Sequence, residues 1–367
     1  MKKLFQSVIY ENPLPQLRAR NSMFPYLAKL PDGTILATHQ IGQAFESIDC
    51  ATYISRSTDG GKTWGEPYPA FPNYRPAVPF SEGAKPTVLP DGRILIAGYG
   101  YFREDENLPV GNGKTGGLLD DMVYYAISED NGYTFTDPVE IPTCFNHHTE
   151  ASGPIVVLKD GSLATPITIF PNWDGSYIAE LTARLLRSFD GGKTWNDDVI
   201  CTEFPNHDVT CYEMRLAQVE NGNMAVITWN ENVKTGERMN NHIAISTDNG
   251  KTFSEPLDTG IRGQASSVAF YKENKVMTLH SMRRDTDEPG ILACIADIGD
   301  GKWNPVSKEL IWQPEMPMTR VKGLAEIFAF LKFGQPSALF LDESHFLLTF
   351  WSCNEGLYLT NVIGYEI

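Results

Sequence analysis

The amino-acid sequence predicts an all-β fold, a six-bladed β-propeller built from four-stranded antiparallel blades. Two observations predict it: an eight-residue turn motif recurs along the chain, and six short hairpin turns lie between apolar stretches. Repeating units of roughly 40–70 residues made of short β-rich segments are typical of propeller blades. Helical solenoids would require apolar residues at a period of about 3.6, and the sequence sustains no such pattern.

The turn motif has the form Ser-x-Asp-x-Gly-x-Thr followed by Trp or Phe. Four good copies and a degraded fifth copy span Ser57–Trp64, Ser128–Phe135, Ser188–Trp195, Ser246–Phe253 and Ala296–Trp303. The aspartates of the good copies follow one another at steps of 71, 60 and 58 residues. An Asp side chain accepts hydrogen bonds from nearby backbone N–H groups, and glycine supplies the positive φ of a tight turn. We therefore expect these aspartates to have a structural role.

The six hairpins give the number of blades. Each sets a polar turn pair between two short apolar stretches, as a β-hairpin does. The turn pairs are Asp32-Gly33, Asp91-Gly92, Asp160-Gly161, Asn221-Gly222, Glu273-Asn274 and Asp342-Glu343. Because the chain ends soon after the sixth hairpin, we expect the β-like segment near Phe5–Tyr10 to complete the last blade. Residues 1–367 are then predicted to form one propeller domain.

Composition and charge exclude several classes of function. The formal net charge of −16 argues against nucleic-acid binding, which relies on lysine and arginine. No stretch approaches the ~20 apolar residues of a membrane helix, and polar residues interrupt the start of the chain before a signal peptide could form. The six cysteines lie far apart, which favours free thiols in a reducing compartment. We expect a soluble cytoplasmic protein without nucleic-acid or membrane partners, and the sequence does not fix its oligomeric state.

The repeated turn motif resembles the Asp-box (BNR) motif of the sialidase superfamily, and the likeness covers nearly the whole chain. This resemblance implies a six-bladed propeller whose motif aspartates face away from the active centre. It also implies an enzyme that removes terminal sugars, but less firmly, because a fold does not determine a function.

Acidic residues that could cleave a glycosidic bond lie where the inner strands are predicted to begin. Such cleavage needs a protonated carboxyl and an ionised carboxylate about 5–10 Å apart. The resemblance places Glu213 where sialidases carry the glutamate that activates their nucleophile, and Asp49 where they carry the acid/base aspartate. Glu150 is a further acid/base candidate. The structural alternatives are an ion pair between Glu213 and Arg215, a loop turn at Asp49 and a hydrogen-bonded histidine beside Glu150.

Cationic, amide and aromatic side chains at the same end of the blades are predicted to bind a small carbohydrate or a glycan terminus. Cations can grip anionic groups, and aromatic rings can stack on sugars. The candidates are Arg215, Lys85, Arg283, Arg284, His148, Gln264, Gln335, Trp229 and Trp351. Blade cores also use tryptophan, and one of two adjacent arginines on a strand normally points to solvent. Metal-ligand spacings and glycine-rich nucleotide loops are missing, so no metal or cofactor is predicted.

Three positions depart from the sialidase pattern. The family's first clamp arginine is replaced by Met23-Phe24-Pro25, its second by Trp229-Asn230, and its nucleophilic tyrosine by the Gly334–Ser337 segment, which contains Gln335. The sequence therefore favours a glycoside hydrolase that acts on a terminal or small sugar unit, acidic sugars included, through a carboxylate pair. Three alternatives stay open: a sialidase with a rearranged clamp, a lyase acting on uronates, and a non-catalytic glycan-binding propeller.

Overall fold

The predicted fold class is confirmed. The computed structural model describes residues 1–284, 286–315 and 332–367, and their strands form six antiparallel sheets of the kind found in propeller blades. In most neighbouring pairs of sheets the first strands contact each other, so these strands surround the axis and each sheet extends outward from it. None of the described residues form a helix long and apolar enough to cross a bilayer.

Each blade takes its strands in chain order from the inside outward, except the sixth. Blade 1 contains β2 (Asn21–Lys29), β3 (Ile35–Gly42), β4 (Ala51–Ser57) and β5 (Tyr68–Pro69), and blade 2 contains β6 (Phe80–Val88), β7 (Ile94–Phe102), β8 (Asp121–Ser128) and β9 (Val139–Glu140). Blade 3 contains β10 (Thr149–Glu150), β11 (Val156–Val157), β12 (Leu163–Ile169), β13 (Thr182–Ser188) and β14 (Asn196–Glu203). Blade 4 contains β15 (Tyr212–Gln218), β16 (Met224–Trp229), β17 (His242–Ser246) and β18 (Leu257–Asp258). Blade 5 contains β19 (Ser266–Lys272), β20 (Lys275–Met282), β21 (Gly290–Asp297) and β22 (Asn304–Trp312), and blade 6 contains β23 (Phe333–Phe340), β24 (His345–Asn354), β25 (Leu357–Glu366) and β1 (Lys2–Tyr10).

The sixth blade joins the two ends of the chain. β1 pairs antiparallel with β25, from Lys2 opposite Glu366 to Tyr10 opposite Thr360. The blade therefore contains three strands from the C-terminal part of the sequence and one from the start. Because the chain runs from β1 into β2 of blade 1, this pairing links the first blade to the last.

Blade 3 differs from the others in its inner strand, which is split into β10 and β11. The break coincides with Gly153-Pro154. Proline has no N–H to donate to a strand ladder, and glycine weakens a strand interior. The gap leaves Ser152 beside the axis, next to Glu150 at the end of β10.

The cores lie between neighbouring blades. Leu36 and Ile54 of blade 1 pack with Ile94, Ile96 and Tyr124 of blade 2, and all five are fully buried. A middle strand is covered on both faces, which is why its sequence is a continuous apolar run and not an alternating one.

The four good copies of the turn motif share one hydrogen-bond pattern. In the first, Asp59 Oδ1 accepts from Thr63 N at 2.9 Å and Asp59 Oδ2 accepts from Thr63 Oγ1 at 2.7 Å, while Ser57 Oγ accepts from Gly61 N at 2.9 Å. Hydrogen bonds of this pattern, led by the one from the Thr194 hydroxyl, lower the pKa of Asp190 to about 2. The turns follow the third strand of their blades, at the end opposite to the start of the inner strands.

Blades 1 and 2 are also joined by a buried carboxylate. Glu82 on β6 accepts hydrogen bonds from Thr52 N and Thr52 Oγ1 on β4, both at 2.6 Å, and from the Tyr124 hydroxyl on β8. Burial raises the pKa of Glu82, and these three donors lower it. A buried carboxyl with several donors is costly to remove, because its partners are then left unpaired.

Replacing Glu82 with alanine should reduce the free energy of unfolding by about 3 kcal/mol, since three buried donors lose their acceptor. Glu82→Gln keeps an acceptor oxygen and should lose less. Urea unfolding followed by tryptophan fluorescence measures both changes. A loss below about 0.5 kcal/mol for the alanine variant, the range of ordinary surface substitutions, would show that the network does not join the blades.

Candidate active site

Three of the inner strands begin with the same backbone irregularity. Phe24, Glu213 and Gln335 have φ angles of 53°, 50° and 52°. Each lies within a register shift of its strand pair, on β2, β15 and β23. Residues other than glycine seldom adopt positive φ, and β-bulges redirect side chains near functional sites. The bulges turn two polar side chains, from blades 4 and 6, toward each other across the axis.

Glu213 and Glu150 form a closely packed acidic pair. The Glu213 backbone N–H donates to Glu150 Oε1 at 2.8 Å and to Oε2 at 2.9 Å. Glu150 is 2% exposed. Burial, and after it the negative charge of Glu213, raise the pKa of Glu150 to about 7. The structure therefore brings two of the three predicted catalytic residues together and places the proton on Glu150 at mildly acidic pH.

The carboxylate of Glu213 is held by two N–H donors. Trp229 Nε1 donates to Oε2 at 2.7 Å, and Gln335 Nε2 donates to Oε1. Arg215 Nη2 donates to the Gln335 amide oxygen at 2.7 Å. Because arginine can only donate, this contact fixes which end of the Gln335 amide faces Glu213. Both Glu213 oxygens therefore act as hydrogen-bond acceptors.

Two cations flank the acidic pair. Arg215 is 4% exposed and also donates to Ser152 Oγ at 2.7 Å. Lys85 on β6 is 8% exposed. Burial and then the charge of Arg215 lower the pKa of Lys85 to about 7, against the charges of Glu213, Glu82 and Glu150, which raise it. The sequence places Arg215 and Lys85 in different blades, and the structure brings them to one site.

A row of aromatic rings lies beside Glu150. Ring centroids are 5.8 Å apart between Tyr99 and Phe170, 5.9 Å between Phe170 and Tyr212, and 5.3 Å between Tyr212 and Trp229. Burial raises the pKa of Tyr99, Tyr101 and Tyr212 well above the ordinary value, and nearby carboxylates add to the shift. These phenols stay protonated at neutral pH and can donate hydrogen bonds to a ligand.

The sequence did not identify Tyr99 or Ser152 as site residues. Tyr99 lies two positions before Tyr101 on β7, so the two share one face of the strand. The two-residue spacing between Tyr99 and Tyr101 was the only signal in the sequence that pointed to Tyr99. Ser152 lies in the gap between β10 and β11, which the Gly153-Pro154 pair marks.

Arg283 and Arg284 have different surroundings. Arg283 is 8% exposed, donates to the Phe333 carbonyl and lies 5.7 Å from the Trp351 ring. Burial lowers the pKa of Arg283 to about 10, against the charge of Glu213. The Trp351 ring itself is 1% exposed. Arg284 Nη1 donates to Gln264 Oε1 at 3.1 Å.

The remaining candidates lie in loops. Asp49 is exposed in the β3–β4 loop, and its Oδ1 accepts from Gln43 N at 3.1 Å. His148 Nε2 lies 3.9 Å from Asp120 Oδ1. Neither contact connects to the acidic pair, so a catalytic role for Asp49 and substrate binding by His148 stay predictions. In the described part of the chain, no group of three or more His, Cys, Asp or Glu side chains is arranged to hold a metal ion.

Comparison with known proteins gives structural neighbours only. No protein-family model matches the chain, and no curated protein matches it. A Dyadobacter fermentans protein of unknown function is similar over 100% of this chain and 99% of its own, with a TM-score of 0.74 and 21% identity. The NanB sialidase of Streptococcus pneumoniae (TM-score 0.68, 15% identity) is similar over 98% of this chain and 70% of its own. Trypanosoma rangeli sialidase (TM-score 0.63, 15% identity) is similar over 94% and 55% respectively.

These neighbours share the six-bladed fold with this chain. At such low identity the likeness establishes the fold and leaves the chemistry to the site.

The titration of Glu150 should appear in the stability of the protein. Its pKa rises from 4.5 to about 7 on folding, so its stabilising contribution is complete below pH 4.5 and is lost as pH rises through about 7. Glu150→Gln removes this titration, and the variant should gain about 3 kcal/mol relative to wild type between pH 4 and pH 8. Urea unfolding at the two pH values measures it.

Glu140→Gln is the matched control, because Glu140 is exposed on β9 and the substitution removes a carboxylate without touching the site. It should show no such pH-dependent gain. Equal behaviour of the two variants would mean that Glu150 titrates as it does in the unfolded chain.

Proposed function

We propose that the protein is a glycoside hydrolase in which Glu150 is the general acid and Glu213 is the ionised carboxylate. One observation carries the proposal: the Glu150 carboxyl, with a pKa raised to about 7, lies against the backbone of Glu213. Two neighbouring carboxyl groups with different environments divide the roles of acid and base between them.

The reaction follows from this division. The Glu150 proton passes to the glycosidic oxygen as its bond to the sugar carbon breaks, so the leaving group departs as an alcohol. Positive charge then develops on the sugar ring. The Glu213 carboxylate, aimed by Trp229 and Gln335, stabilises that charge, either by bonding to the sugar carbon or by taking a proton from the attacking water.

The surrounding groups favour a sugar as the substrate. Lys85 and Arg215 can bind hydroxyl or anionic groups, and the protonated phenols of Tyr99 and Tyr101 add donors. Trp229 supplies an aromatic wall beside the acidic pair. A pocket that combines rings with convergent polar groups is the usual form of a small-molecule site.

Sialidases among the structural neighbours support a glycosidase, and the departures in sequence argue against a sialidase. Gln335 contacts Glu213 from the strand where the resemblance would require the nucleophilic tyrosine. An amide cannot attack the sugar carbon in place of a phenol. Direct participation of Glu213 is therefore the simpler chemistry for this site.

Two residues that could act as the base of a lyase, His280 and Tyr212, are poorly suited to that role. His280 is fully buried, and its ring nitrogens contact the hydroxyls of Ser266 and Thr278 at 2.9 Å. Burial lowers the pKa of His280 to about 3. Tyr212 has a raised pKa. The low pKa of His280 makes it a weak base, and Tyr212 keeps its proton at pH 7, so neither is prepared to remove a proton from carbon.

Turnover of aryl glycosides should separate the two carboxyl roles. On the sugar that wild type hydrolyses, Glu213→Gln should lose about 10³-fold in kcat/KM with every leaving group. Glu150→Gln should lose a similar factor with methylumbelliferyl glycosides, yet keep most activity with 2,4-dinitrophenyl glycosides, which leave without a proton. Released phenol is followed by absorbance or fluorescence.

Asp49→Asn is the informative control in this series. The proposal expects it to keep activity within a few-fold of wild type. If Asp49→Asn loses activity with methylumbelliferyl glycosides but keeps it with 2,4-dinitrophenyl glycosides, and Glu150→Gln does not, then Asp49 is the general acid. Turnover of a sialoside and of no other glycoside would favour the sialidase alternative.

The pH dependence of kcat/KM should also reveal the titration of the general acid. Because Glu150 must be protonated to act and its pKa is about 7, kcat/KM should fall as pH rises above about 7. With a 2,4-dinitrophenyl glycoside this alkaline limb should disappear. If the alkaline limb of the kcat/KM profile appears with every leaving group, it reflects the titration of a residue other than Glu150.

A further inference from the structure

Lys85 is a buried lysine at the axis, and its amino group has no partner in the part of the chain that the structure describes. It lies on the inner strand β6 and is 8% exposed. Across residues 1–284, 286–315 and 332–367, no hydrogen bond or ion pair involves this amino group. The neighbouring cation Arg215, by contrast, donates to Ser152 Oγ and to Gln335 Oε1. Buried lysines are ordinarily paired, so Lys85 is not held here as half of a structural ion pair.

The Lys85 amino group is open to solvent. Several side-chain nitrogen atoms of the described residues are enclosed without a hydrogen-bond partner, Arg283 Nε and Trp351 Nε1 among them, and Lys85 Nζ does not belong to this group. Since Lys85 Nζ has no partner either, it must reach solvent. A small molecule that enters the channel can therefore contact it.

The surroundings of Lys85 favour a neutral amine. Burial and then the charge of Arg215 lower its pKa to about 7, against Glu213, Glu82 and Glu150, which raise it. An ordinary exposed lysine, with a pKa of about 10.4, is almost wholly protonated at neutral pH. Desolvation and a neighbouring cation are recognised ways in which proteins turn a lysine into a nucleophile.

Binding of anions alone does not account for these surroundings. A cation that only gripped anions would serve best fully charged, as an arginine is. The site instead joins a free amine, available in its neutral form, to the Glu150 carboxyl, whose pKa of about 7 makes a proton available in the same pH range. This combination suits a reaction that consumes a neutral amine and an acid.

We propose that Lys85 is a nucleophile that forms an imine with the carbonyl group of an open-chain sugar. The phenols of Tyr99 and Tyr101 and the hydroxyl of Ser152 offer hydrogen-bond partners for the hydroxyl groups of such a ligand. The inference goes beyond the proposed function, because it assigns to the channel a covalent reaction that requires no glycosidic bond.

The reaction balances with the groups that the site holds. The Lys85 nitrogen attacks the carbonyl carbon, a C–N bond forms, and the π electrons of the carbonyl move to its oxygen. The oxygen takes up a proton and the nitrogen loses one, which gives a neutral carbinolamine. Glu150 then donates its proton to the new hydroxyl, water leaves, and the nitrogen lone pair forms the C=N bond. One amine, one carbonyl and one proton become one iminium ion and one water, without an oxidant or a reductant.

Reductive trapping with cyanoborohydride, followed by peptide mapping, locates the reacting amine in the folded wild-type protein. The probes are D-glyceraldehyde, an aldose too short to close a stable ring, acetaldehyde, which lacks sugar hydroxyls, and methyl glucoside, whose carbonyl is locked as an acetal. At pH 7, D-glyceraldehyde should label Lys85 at least about tenfold faster than Lys62, which is exposed in the first turn motif. Methyl glucoside should label neither lysine.

The ratio of Lys85 labelling to Lys62 labelling, measured with each aldehyde, distinguishes a sugar site from an amine that is only reactive. This ratio should be about fivefold higher with D-glyceraldehyde than with acetaldehyde, as one additional hydrogen bond to the ligand provides. Equal ratios would overturn the sugar as the ligand. Labelling of Lys85 no faster than that of Lys62 would overturn imine formation.

Arg215→Gln tests the activation of the amine. Loss of the neighbouring cation should raise the pKa of Lys85 and slow its labelling at pH 7 by about threefold. Arg93→Gln is the matched control: it removes the same charge from the β6–β7 turn at the opposite end, where Arg93 pairs with Asp91, and it should change nothing. An unchanged rate in folded Arg215→Gln would contradict the activation of Lys85 by its neighbour, and the wild-type labelling stands as a test if that variant does not fold.

The outcome is separable from that of the proposed function, because trapping reports a covalent adduct and not turnover. Preferential labelling of Lys85 in a protein that hydrolyses no glycoside would support the imine and refute the hydrolase. Hydrolysis of aryl glycosides by a protein in which Lys85 is labelled no faster than Lys62 would refute the imine alone.

Discussion

The hydrogen bond from the Glu213 backbone to the Glu150 carboxyl is the contact on which the site depends. It joins blade 3 to blade 4 at the axis, and it brings the negative charge of Glu213 close enough to raise the pKa of Glu150. The bond exists because the Glu213 backbone has positive φ, which directs its N–H and its side chain differently from those of an ordinary strand residue. The backbone conformation of Glu213 therefore helps to position the acid, while burial of the Glu150 carboxyl is the largest cause of its raised pKa.

That geometry has to be supported by the whole ring. Glu213 lies on blade 4, Glu150 on blade 3, Gln335 on blade 6 and Lys85 on blade 2, so the site is assembled from side chains with distant sequence positions. Pairing of β1 with β25 closes the ring, and apolar packing between blades prevents them from sliding. A small change in blade angle would separate Gln335 from Glu213, and Arg215 would then lose its amide partner.

The sequence predicted the fold because blade structure is local. Hairpin turns such as Asp32-Gly33 and the repeated turn motif are formed by residues within a few positions of one another, and their chemistry is readable without tertiary information. Glu213 and Glu150 were identified as candidates because both lie where an inner strand begins. Their direct contact was not predictable, since nothing local marks Glu213 for positive φ.

Other features depend on neighbours that the sequence does not reveal. Phe24, Glu213 and Gln335 have unlike side chains and unlike flanking residues, yet they share one backbone conformation. Asp49 was chosen by resemblance alone, and resemblance cannot show which carboxyl takes a given role. The pKa shifts of Lys85 and Glu150 arise from burial among charges of other blades, which is a property of the assembled channel.

The balance of charge at the axis explains why a chain this acidic keeps cations there. Burial and then the charge of Arg215 lower the pKa of Lys85, while Glu213, Glu82 and Glu150 raise it, and the opposing effects leave it at about 7. Lys85 and Glu150 therefore titrate in the same pH range, and the charge of each shifts the pKa of the other. Ionised Glu150 favours the ammonium of Lys85, and the same Coulomb interaction makes a charged Lys85 lower the proton affinity of Glu150.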